Sequence, residues 1–236
     1  MSRARSSRSM AVTRSGEAMN EMSDLSDLAK REEIIRQCLE MNRSGLNQGT
    51  SGNISVRHGE GMLITPTSLP YDTLVPEDIV FVSMEGEVRG RHKPSSEWRF
   101  HRDILRERAD VNAVVHAHPT YCTTLAIMNR EIPSIHYMLA VVGGPNIRCA
   151  PYAIYGSEEL SRNAVEALRD RKACLLEHHG MIAVGKSLAQ AMWLAVEVET
   201  LARQYHGCLQ IGEPRLLSER QIQDVIDKIA GYGHQG

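Results

Sequence analysis

The sequence lacks the features that mark membrane proteins, disulfide-rich domains and nucleic-acid binders. No apolar run in its 236 residues approaches the ~20 needed to span a bilayer. The five cysteines are an odd number and form no CxxC pair, so we interpret them as reduced thiols of a cytoplasmic protein. Net charge is −2, and no basic face stands out beyond the first residues. We therefore expect no membrane and no nucleic-acid partner.

The first 22 residues differ in composition from the rest of the chain. They are rich in Ser and Arg, and the first acidic residue is Glu17. A transit peptide has this composition, but we favour a disordered tail or an upstream mis-start. No internal repeat and no Pro/Gly-rich linker divides the remaining residues, and 42% hydrophobic residues suffice for a full core. We expect a disordered tail over 1–22 and a single domain over 23–236.

Hydrophobic periodicity predicts short strands that alternate with amphipathic helices. A helical stripe runs from about Asp24 to Arg43, and capping boxes that begin at Ser187 and Ser218 predict two further helix starts. Apolar strands are predicted in GTSGNISVR, GMLITPTS, DIVFVSMEGEVRG, VNAVVHAHP and ACLLEHHGMIAVG. Because hairpins and crossovers are mixed, we expect an α/β chain of the layered α+β type. Its central sheet is expected to be mixed or mainly antiparallel, between helical layers.

Histidines at the ends of two predicted strands indicate a metal site. His116 and His118 end one strand, and side chains at i and i+2 of a strand point to the same face. A catalytic zinc takes three protein ligands and keeps an open position. The third ligand is expected after another strand, where His178 and His179 are adjacent, and spacing does not say which of them binds. Hydrogen-bonded histidines without a metal are the alternative. Imidazole ligands favour zinc over magnesium, and iron, cobalt and manganese are the alternatives.

Five other histidines are expected at the surface of the protein. We interpret them as surface residues because their neighbours are polar: His58, His92, His101, His206 and His234.

Two segments indicate a phosphate site. In GTSGNISVR, Gly49 and Gly52 flank hydroxyl side chains, and such loops can turn backbone N–H groups toward an anion. In KPSSEW, Ser95 or Ser96 is predicted to be the N-cap of a helix, whose N-terminus presents free N–H groups. Plain turns and plain caps need no ligand, so neither segment is specific alone. Glu97 is expected in the first turn of that helix, either complementing its dipole or acting as a general base.

The motifs follow one another in an order typical of a known family. Together they resemble the class II aldolase/adducin-head family over about Leu25 to Gly233: GTSGNISVR, MLITPTSLPY, KPSSEWRFH, AVVHAHPTYCT, IPSIHYM, CAPYAIYG and LLEHHGMIA. Their joint occurrence at matching spacing is specific, whereas each alone is not. The resemblance implies the class II aldolase/adducin-head fold, with a mainly antiparallel sheet between helical layers. It also implies a cyclic homotetramer whose active sites lie at subunit interfaces.

The resemblance implies roles for individual residues. Zinc would be held by His116, His118 and His179, with Glu97 as a further ligand in the resting enzyme and as the catalytic acid/base. Tyr137 would reach into the neighbouring subunit's site as a catalytic acid. The positions that match substrate and phosphate contacts are Thr50, Gly52, Asn53, Thr67, Ser68, Ser95, Ser96, Tyr155 and Tyr232. Of these, Ser68 stands where an aldolase of the family carries glycine.

The function that the resemblance implies is zinc-dependent retro-aldol cleavage of a ketose 1-phosphate. L-Fuculose 1-phosphate is the expected substrate, giving dihydroxyacetone phosphate and L-lactaldehyde. A pentulose-phosphate 4-epimerase of the same family is the alternative, but Asp is expected there in place of Glu97. Other members dehydrate or decarboxylate sugar phosphates. A zinc hydrolase would leave the phosphate loops unexplained, and a non-catalytic adducin head would lack the full histidine set.

Overall fold

The computed structural model describes residues 27–231, and a single eight-stranded sheet runs through them. The strand order is β4-β3-β2-β1-β5-β8-β7-β6, and every neighbouring pair is antiparallel except β6 and β7. The mainly antiparallel sheet expected from the sequence is thus confirmed. The strands are β1 (Asn53–His58), β2 (Gly61–Ile64), β3 (Val80–Ser83), β4 (Val88–Arg89), β5 (Ala113–Ala117), β6 (Cys149–Ala150), β7 (Ala173–Leu176) and β8 (Gly180–Gly185).

Helices cover both faces of the sheet. Helix α1 occupies 27–43. It is followed by α2 (Trp98–Glu107), α3 (Thr120–Ile127), α4 (Glu158–Ala167), α5 (Leu188–Ile211) and α6 (Glu219–Gly231). None of the helices in the described range is long and apolar enough to cross a membrane.

The two core clusters follow the alternation of strand β5. Val115 and its neighbours two residues away pack with α1, α3 and α5, whereas Val114 packs with α2 and α4. This alternation arises because successive strand residues point to opposite faces. His116 therefore lies on the α2 side, where its ring packs edge-on against Phe100 at a centroid distance of 5.4 Å. The sheet topology thus directs one imidazole of the HxH pair toward helix α2.

Both predicted capping boxes begin helices. The Ser218 N–H donates to Gln221 Oε1 at 2.9 Å, and the Gln221 N–H donates back to Ser218 Oγ at 3.3 Å. At α5, Ser187 Oγ accepts from the Gln190 N–H, but the Gln190 side chain accepts from the Lys186 N–H instead of from Ser187. Local sequence signals therefore place the starts of α5 and α6 correctly.

The structure corrects the predicted start of helix α2. Neither Ser95 nor Ser96 is its N-cap, because the helix begins at Trp98 and Glu97 occupies the N-cap position without a side-chain cap bond. Ser95 is instead held by a neighbouring loop: its N–H donates to the Thr65 carbonyl at 2.9 Å. Glu97, which was expected in the first helical turn, therefore stands one residue before the helix.

The turn between β7 and β8 lies before Gly180. Gly180 is the first residue of β8, and the reversal is made by Glu177, His178 and His179. His178 has a φ of 55°, a left-handed conformation. The two histidines therefore diverge because they lie in a tight turn, and not because they alternate along a strand.

Candidate metal centre and substrate cavity

Four side chains converge at one end of the sheet. The ligand atoms of Glu97, His116, His118 and His179 all lie within 4.8 Å of one another. The Nε2 atoms of His116 and His118 are 2.8 Å apart. Glu97 Oε2 lies 3.1 Å from His116 Nε2, and Glu97 Oε1 lies 3.2 Å from His179 Nε2. Three imidazole nitrogens and one carboxylate thus face a common point, which is a donor set suited to a transition metal such as zinc.

His116 is held so that Nε2 is the nitrogen offered to this point. Its Nδ1 lies 2.9 Å from the Met181 carbonyl on the neighbouring strand β8. A carbonyl oxygen only accepts hydrogen bonds, so Nδ1 carries the proton and Nε2 keeps its lone pair. Such a backbone partner is the usual device that orients a metal-binding histidine.

His118 stands one residue beyond β5, and two contacts position the chain there. Helix α3 starts soon after, and its first N–H groups at Tyr121 and Cys122 each donate to the Glu199 carboxylate at 2.9 Å. On the other side, a Cβ added to Gly180 would lie 2.5 Å from the Ala117 carbonyl and 2.7 Å from His118 Cδ2. The His118 ring therefore rests against a position where no side chain larger than hydrogen fits.

Glu97 is buried, with 5% of its surface exposed. Its Oε2 accepts from Asn53 Nδ2 at 3.1 Å, whereas Oε1 has no hydrogen-bond partner among the described residues. His179 approaches Oε1 closely but outside hydrogen-bond geometry. A buried carboxylate oxygen without a donor is costly, so its place beside three imidazoles fits a bound cation.

The protonation states also suit a metal. Burial raises the pKa of the Glu97 carboxyl, but the facing His116 and His179 outweigh burial and hold that pKa well below its ordinary value. Burial, helped by His116 and His179, lowers the pKa of His118 to about 3. A carboxylate and neutral imidazoles are the forms that coordinate metals. Glu97 and His118 are therefore in the protonation states that coordinate a metal.

A cavity of about 420 Å³ opens beside Glu97, His118 and His179. Its other walls include every described position that the resemblance assigned to substrate or phosphate contact: Thr50, Gly52, Asn53, Thr67, Ser68, Ser95, Ser96 and Tyr155. Hydroxyl groups and loop backbone dominate this rim, which suits an anionic, oxygen-rich ligand. Tyr152 and Ile154, which lie in the motif CAPYAIYG but were given no role there, also line the cavity.

Backbone contacts shape two parts of the cavity. A Cβ on Gly52 would lie 2.7 Å from the His116 carbonyl, so this loop passes the metal-binding strand at a distance that only glycine allows. The Tyr71 hydroxyl donates to the Gly52 carbonyl from the opposite side. Ser68 has a φ of 61°, in the region that favours glycine. A glycine at this position, which the resemblance implies for an aldolase of the family, would adopt the same conformation with less strain.

The loop before α4 forms the wall that carries Tyr155. The Tyr152 N–H donates to Glu177 Oε2 at 2.8 Å, and Arg99 Nη1 donates to the Gly156 carbonyl at 2.9 Å. These bonds attach the wall to the β7–β8 turn at one end and to helix α2 at the other. His178 is exposed beside it, with its ring 6.1 Å from that of Tyr152.

Other residues singled out in the sequence do not line this cavity or lie outside the described residues. Tyr137 begins a 3-10 helix (Tyr137–Val142), is 54% exposed and does not line the cavity of its own chain. Tyr232 and His234 lie outside the described residues. The prediction that His101 is a surface residue is wrong, because its side chain is completely buried. His58, His92 and His206 are half-buried.

The family assignment follows from comparison with known proteins. Residues 32–206 match the family described as Class II Aldolase and Adducin N-terminal domain. A 5-methylthioribulose-1-phosphate/5-deoxyribulose-1-phosphate aldolase of Rhodospirillum rubrum is 54% identical over 88% of this chain and 94% of its own length. An L-fuculose phosphate aldolase of Escherichia coli is 52% identical over 85% of this chain and 94% of its own length.

A solved structure agrees with the relatives. An L-fuculose 1-phosphate aldolase superposes with a TM-score of 0.82 at 36% identity, covering 85% of this chain and 95% of the other. The chain belongs to the class II aldolase and adducin family. It is a class II aldolase, a metal-dependent lyase that acts on sugar phosphates.

Proposed function

We propose that the enzyme cleaves a ketose 1-phosphate by a zinc-dependent retro-aldol reaction, releasing dihydroxyacetone phosphate and an aldehyde. The observation that carries this proposal is the buried Glu97 carboxylate, which faces three imidazoles at the floor of a hydroxyl-rimmed cavity. The proposed zinc ligands are Glu97, His116, His118 and His179. A zinc ion bound there would supply Lewis acidity that stabilises negative charge on oxygen as the carbon–carbon bond breaks.

The residues of the chain supply orientation and proton transfer. Glu97 returns a proton to C3 of the triose phosphate through a carboxylate oxygen, and removes it in the direction of synthesis. The phosphate lies among the loop residues that line the cavity, Thr50, Gly52, Asn53, Thr67, Ser68, Ser95 and Ser96, and its binding orients the bond to be broken. Tyr155 lies on the wall for the aldehyde portion.

A second subunit is expected to complete the site. We propose a homotetramer in which Tyr137 of one subunit accepts the proton of the C4 hydroxyl at the neighbour's cavity as the bond breaks, and donates it to the aldehyde oxygen in the direction of synthesis. Tyr232 is proposed to close over the same cavity. The exposure of Tyr137 and its absence from the cavity wall of its own chain support this arrangement. The five free cysteines support the cytoplasm as the place of action.

Two substrates are candidates. L-Fuculose 1-phosphate is the first, in line with the similarity to the E. coli enzyme and to the solved structure. The second is a 5-substituted ribulose 1-phosphate, because the relative from R. rubrum is named for 5-methylthioribulose 1-phosphate and 5-deoxyribulose 1-phosphate. Both share the ketose 1-phosphate portion and differ in the aldehyde released.

A product assay with the zinc-loaded enzyme tests the proposal. L-Fuculose, L-rhamnulose and 5-deoxyribulose 1-phosphates and a pentulose 5-phosphate would each be incubated with enzyme, and dihydroxyacetone phosphate would be measured by coupled reduction. We expect triose phosphate from at least one ketose 1-phosphate and none after chelation of the metal. Formation of a pentulose epimer, with no triose phosphate from any substrate, would identify the enzyme as a 4-epimerase instead.

A further inference from the structure

A chain of buried hydrogen bonds lies behind Glu97. Asn53 Nδ2 donates to Glu97 Oε2 at 3.1 Å, and Asn53 Oδ1 lies 2.5 Å from His101 Nε2. The other ring nitrogen, His101 Nδ1, lies 2.8 Å from Ser55 Oγ. Asn53 is 4% exposed, and His101 and Ser55 are completely buried. These bonds therefore connect the Glu97 carboxylate, through Asn53 and His101, to Ser55 in strand β1.

The Glu97 carboxylate determines the direction of each hydrogen bond in the series from Glu97 to Ser55. An ionised Glu97 only accepts, so the amide of Asn53 must present its NH₂ to Oε2. Asn53 Oδ1 then faces His101 and requires a donor, so His101 Nε2 carries the proton. Burial lowers the pKa of His101 to about 3, so the ring is neutral and Nδ1 is an acceptor. Ser55 is left to donate its hydroxyl proton to Nδ1.

Sequence position explains why His101 can act on Asn53. His101 lies on helix α2, four residues after the N-cap residue Glu97, and its ring faces strand β1. Asn53 and Ser55 are two residues apart on β1 and therefore share one face of the sheet. The ring of His101 spans these two side chains and stacks on Phe100 at 4.6 Å. Its orientation is thus determined by three separate contacts.

We propose that His101 is a positioning residue that fixes the orientation of the Asn53 amide. The Nε2–H tautomer accepts only the amide orientation in which the NH₂ group faces Glu97. The flipped amide would place Oδ1 against the carboxylate oxygen and its NH₂ group against the Nε2–H donor. This role rests on the proposed function, in which Glu97 must be held at one place for metal binding and proton transfer. His101 itself does not touch the cavity.

Kinetics of three variants test the role. His101→Gln keeps an N–H near the position of Nε2, whereas His101→Leu removes it at similar volume. With the ketose 1-phosphate that the wild type cleaves, we expect kcat to fall about 10–100-fold in His101→Leu, the scale for groups that orient ligands. His101→Gln should recover to within a few-fold of wild type, with KM nearly unchanged in both. Ser161→Ala, which removes a partly buried hydrogen bond to Asp103, is the control and should keep full kcat.

Two kinetic results would overturn the proposal. One is an unchanged kcat in a folded His101→Leu protein, even if its melting temperature falls, because the residue would then be structural only. The other is a His101→Gln enzyme as slow as His101→Leu, because the retained donor would then have no effect.

The tautomer of His101 is a readout that requires no substrate. Solid-state NMR of zinc-loaded enzyme labelled with ¹⁵N-histidine, assigned by the signals lost in His101→Gln, reports which ring nitrogen carries the proton. We expect Nε2–H at neutral pH, and Nδ1–H or a doubly protonated ring would overturn the proposal. If no ketose phosphate is cleaved, the proposed function fails while this result still decides the tautomer. If His101→Leu does not fold, the NMR result and His101→Gln are sufficient.

Discussion

Asn53 of β1 lies directly opposite His116 of β5 in the antiparallel ladder, and both side chains reach the same oxygen of Glu97. Their nitrogens are each 3.1 Å from Oε2. The register of two neighbouring strands therefore sets the position of the carboxylate that arrives from helix α2. A shift of β1 by one residue would turn Asn53 to the other face of the sheet and remove this contact.

The close approach at Gly180 predicts a loss of metal without a change in any ligand. In Gly180→Ala the new Cβ would collide with the Ala117 carbonyl and with the His118 ring. Because the backbone cannot move freely between two strands, we expect His118 to be displaced and metal affinity to fall by about 10–100-fold. Metal content after dialysis, measured by mass spectrometry, checks this result.

Gly207→Ala is the matched control for Gly180→Ala. Gly207 lies inside helix α5, and a Cβ there would meet nothing within 4 Å. This substitution should leave metal content unchanged and stabilise the protein by up to about 1 kcal/mol through helix propensity. Full metal content in Gly180→Ala would show that the contact with His118 does not position the ring.

The Glu199 carboxylate predicts a measurable contribution to stability. It accepts from the N–H groups of Tyr121 and Cys122, at the start of a helix whose N-cap residue is Pro119 and has no side-chain cap. In Glu199→Ala we expect the free energy of unfolding to fall by about 1–2 kcal/mol, as for the loss of a helix cap. Urea denaturation measures it. Glu197→Ala, on the same helix but outside these two bonds, should change stability much less, and equal losses would contradict the capping role.

Buried His101 predicts a specific dependence of stability on pH. Its pKa is lowered from 6.5 to about 3, because burial and the nearby His116 disfavour the charged ring. The unfolded chain therefore binds more protons than the folded chain between these values, so stability is full above pH 6.5 and is lost as the pH falls toward 3. A single such proton gives a slope of about 1.4 kcal/mol per pH unit.

The variant His101→Gln isolates this contribution. It lacks the titrating ring, so its free energy of unfolding should fall less steeply than that of wild type between about pH 6.5 and about pH 4. Urea denaturation of both zinc-loaded proteins at several pH values supplies the comparison. Parallel curves for the two proteins would show that His101 does not titrate in this range on unfolding.

Local patterns in the sequence were sufficient to predict the main helices and strands and to bring out much of the candidate site. The alternation in VNAVVHAHP predicts that His116 and His118 share one face, and the structure places their Nε2 atoms 2.8 Å apart. Capping boxes and turn residues predict helix starts because their hydrogen bonds are made within four residues. The choice between His178 and His179 required the resemblance, since it depends on the path of a turn that spacing does not define.

The burial of His101 could not be predicted from its neighbours. Arg102 and Asp103 follow it, so the local sequence is polar, yet the helix turns its ring toward strand β1, 48 residues away along the chain. The position of Glu97 shows the same difficulty. Ser95 and Ser96 are good N-cap residues, but Ser95 is bonded to the loop after β2, and the helix starts later. In both cases long-range contacts override a local preference.

Hydrogen exchange of dihydroxyacetone phosphate tests the role of Glu97 most directly. Zinc-loaded enzyme in deuterated water, given this triose phosphate without an aldehyde, should exchange a hydrogen on the carbon that bears the free hydroxyl group, as observed by NMR. Glu97→Gln should keep its zinc on the three histidines but exchange about 10²–10⁴-fold more slowly. Exchange at the wild-type rate in a zinc-loaded Glu97→Gln enzyme would contradict the assignment of Glu97 as the group that transfers the proton.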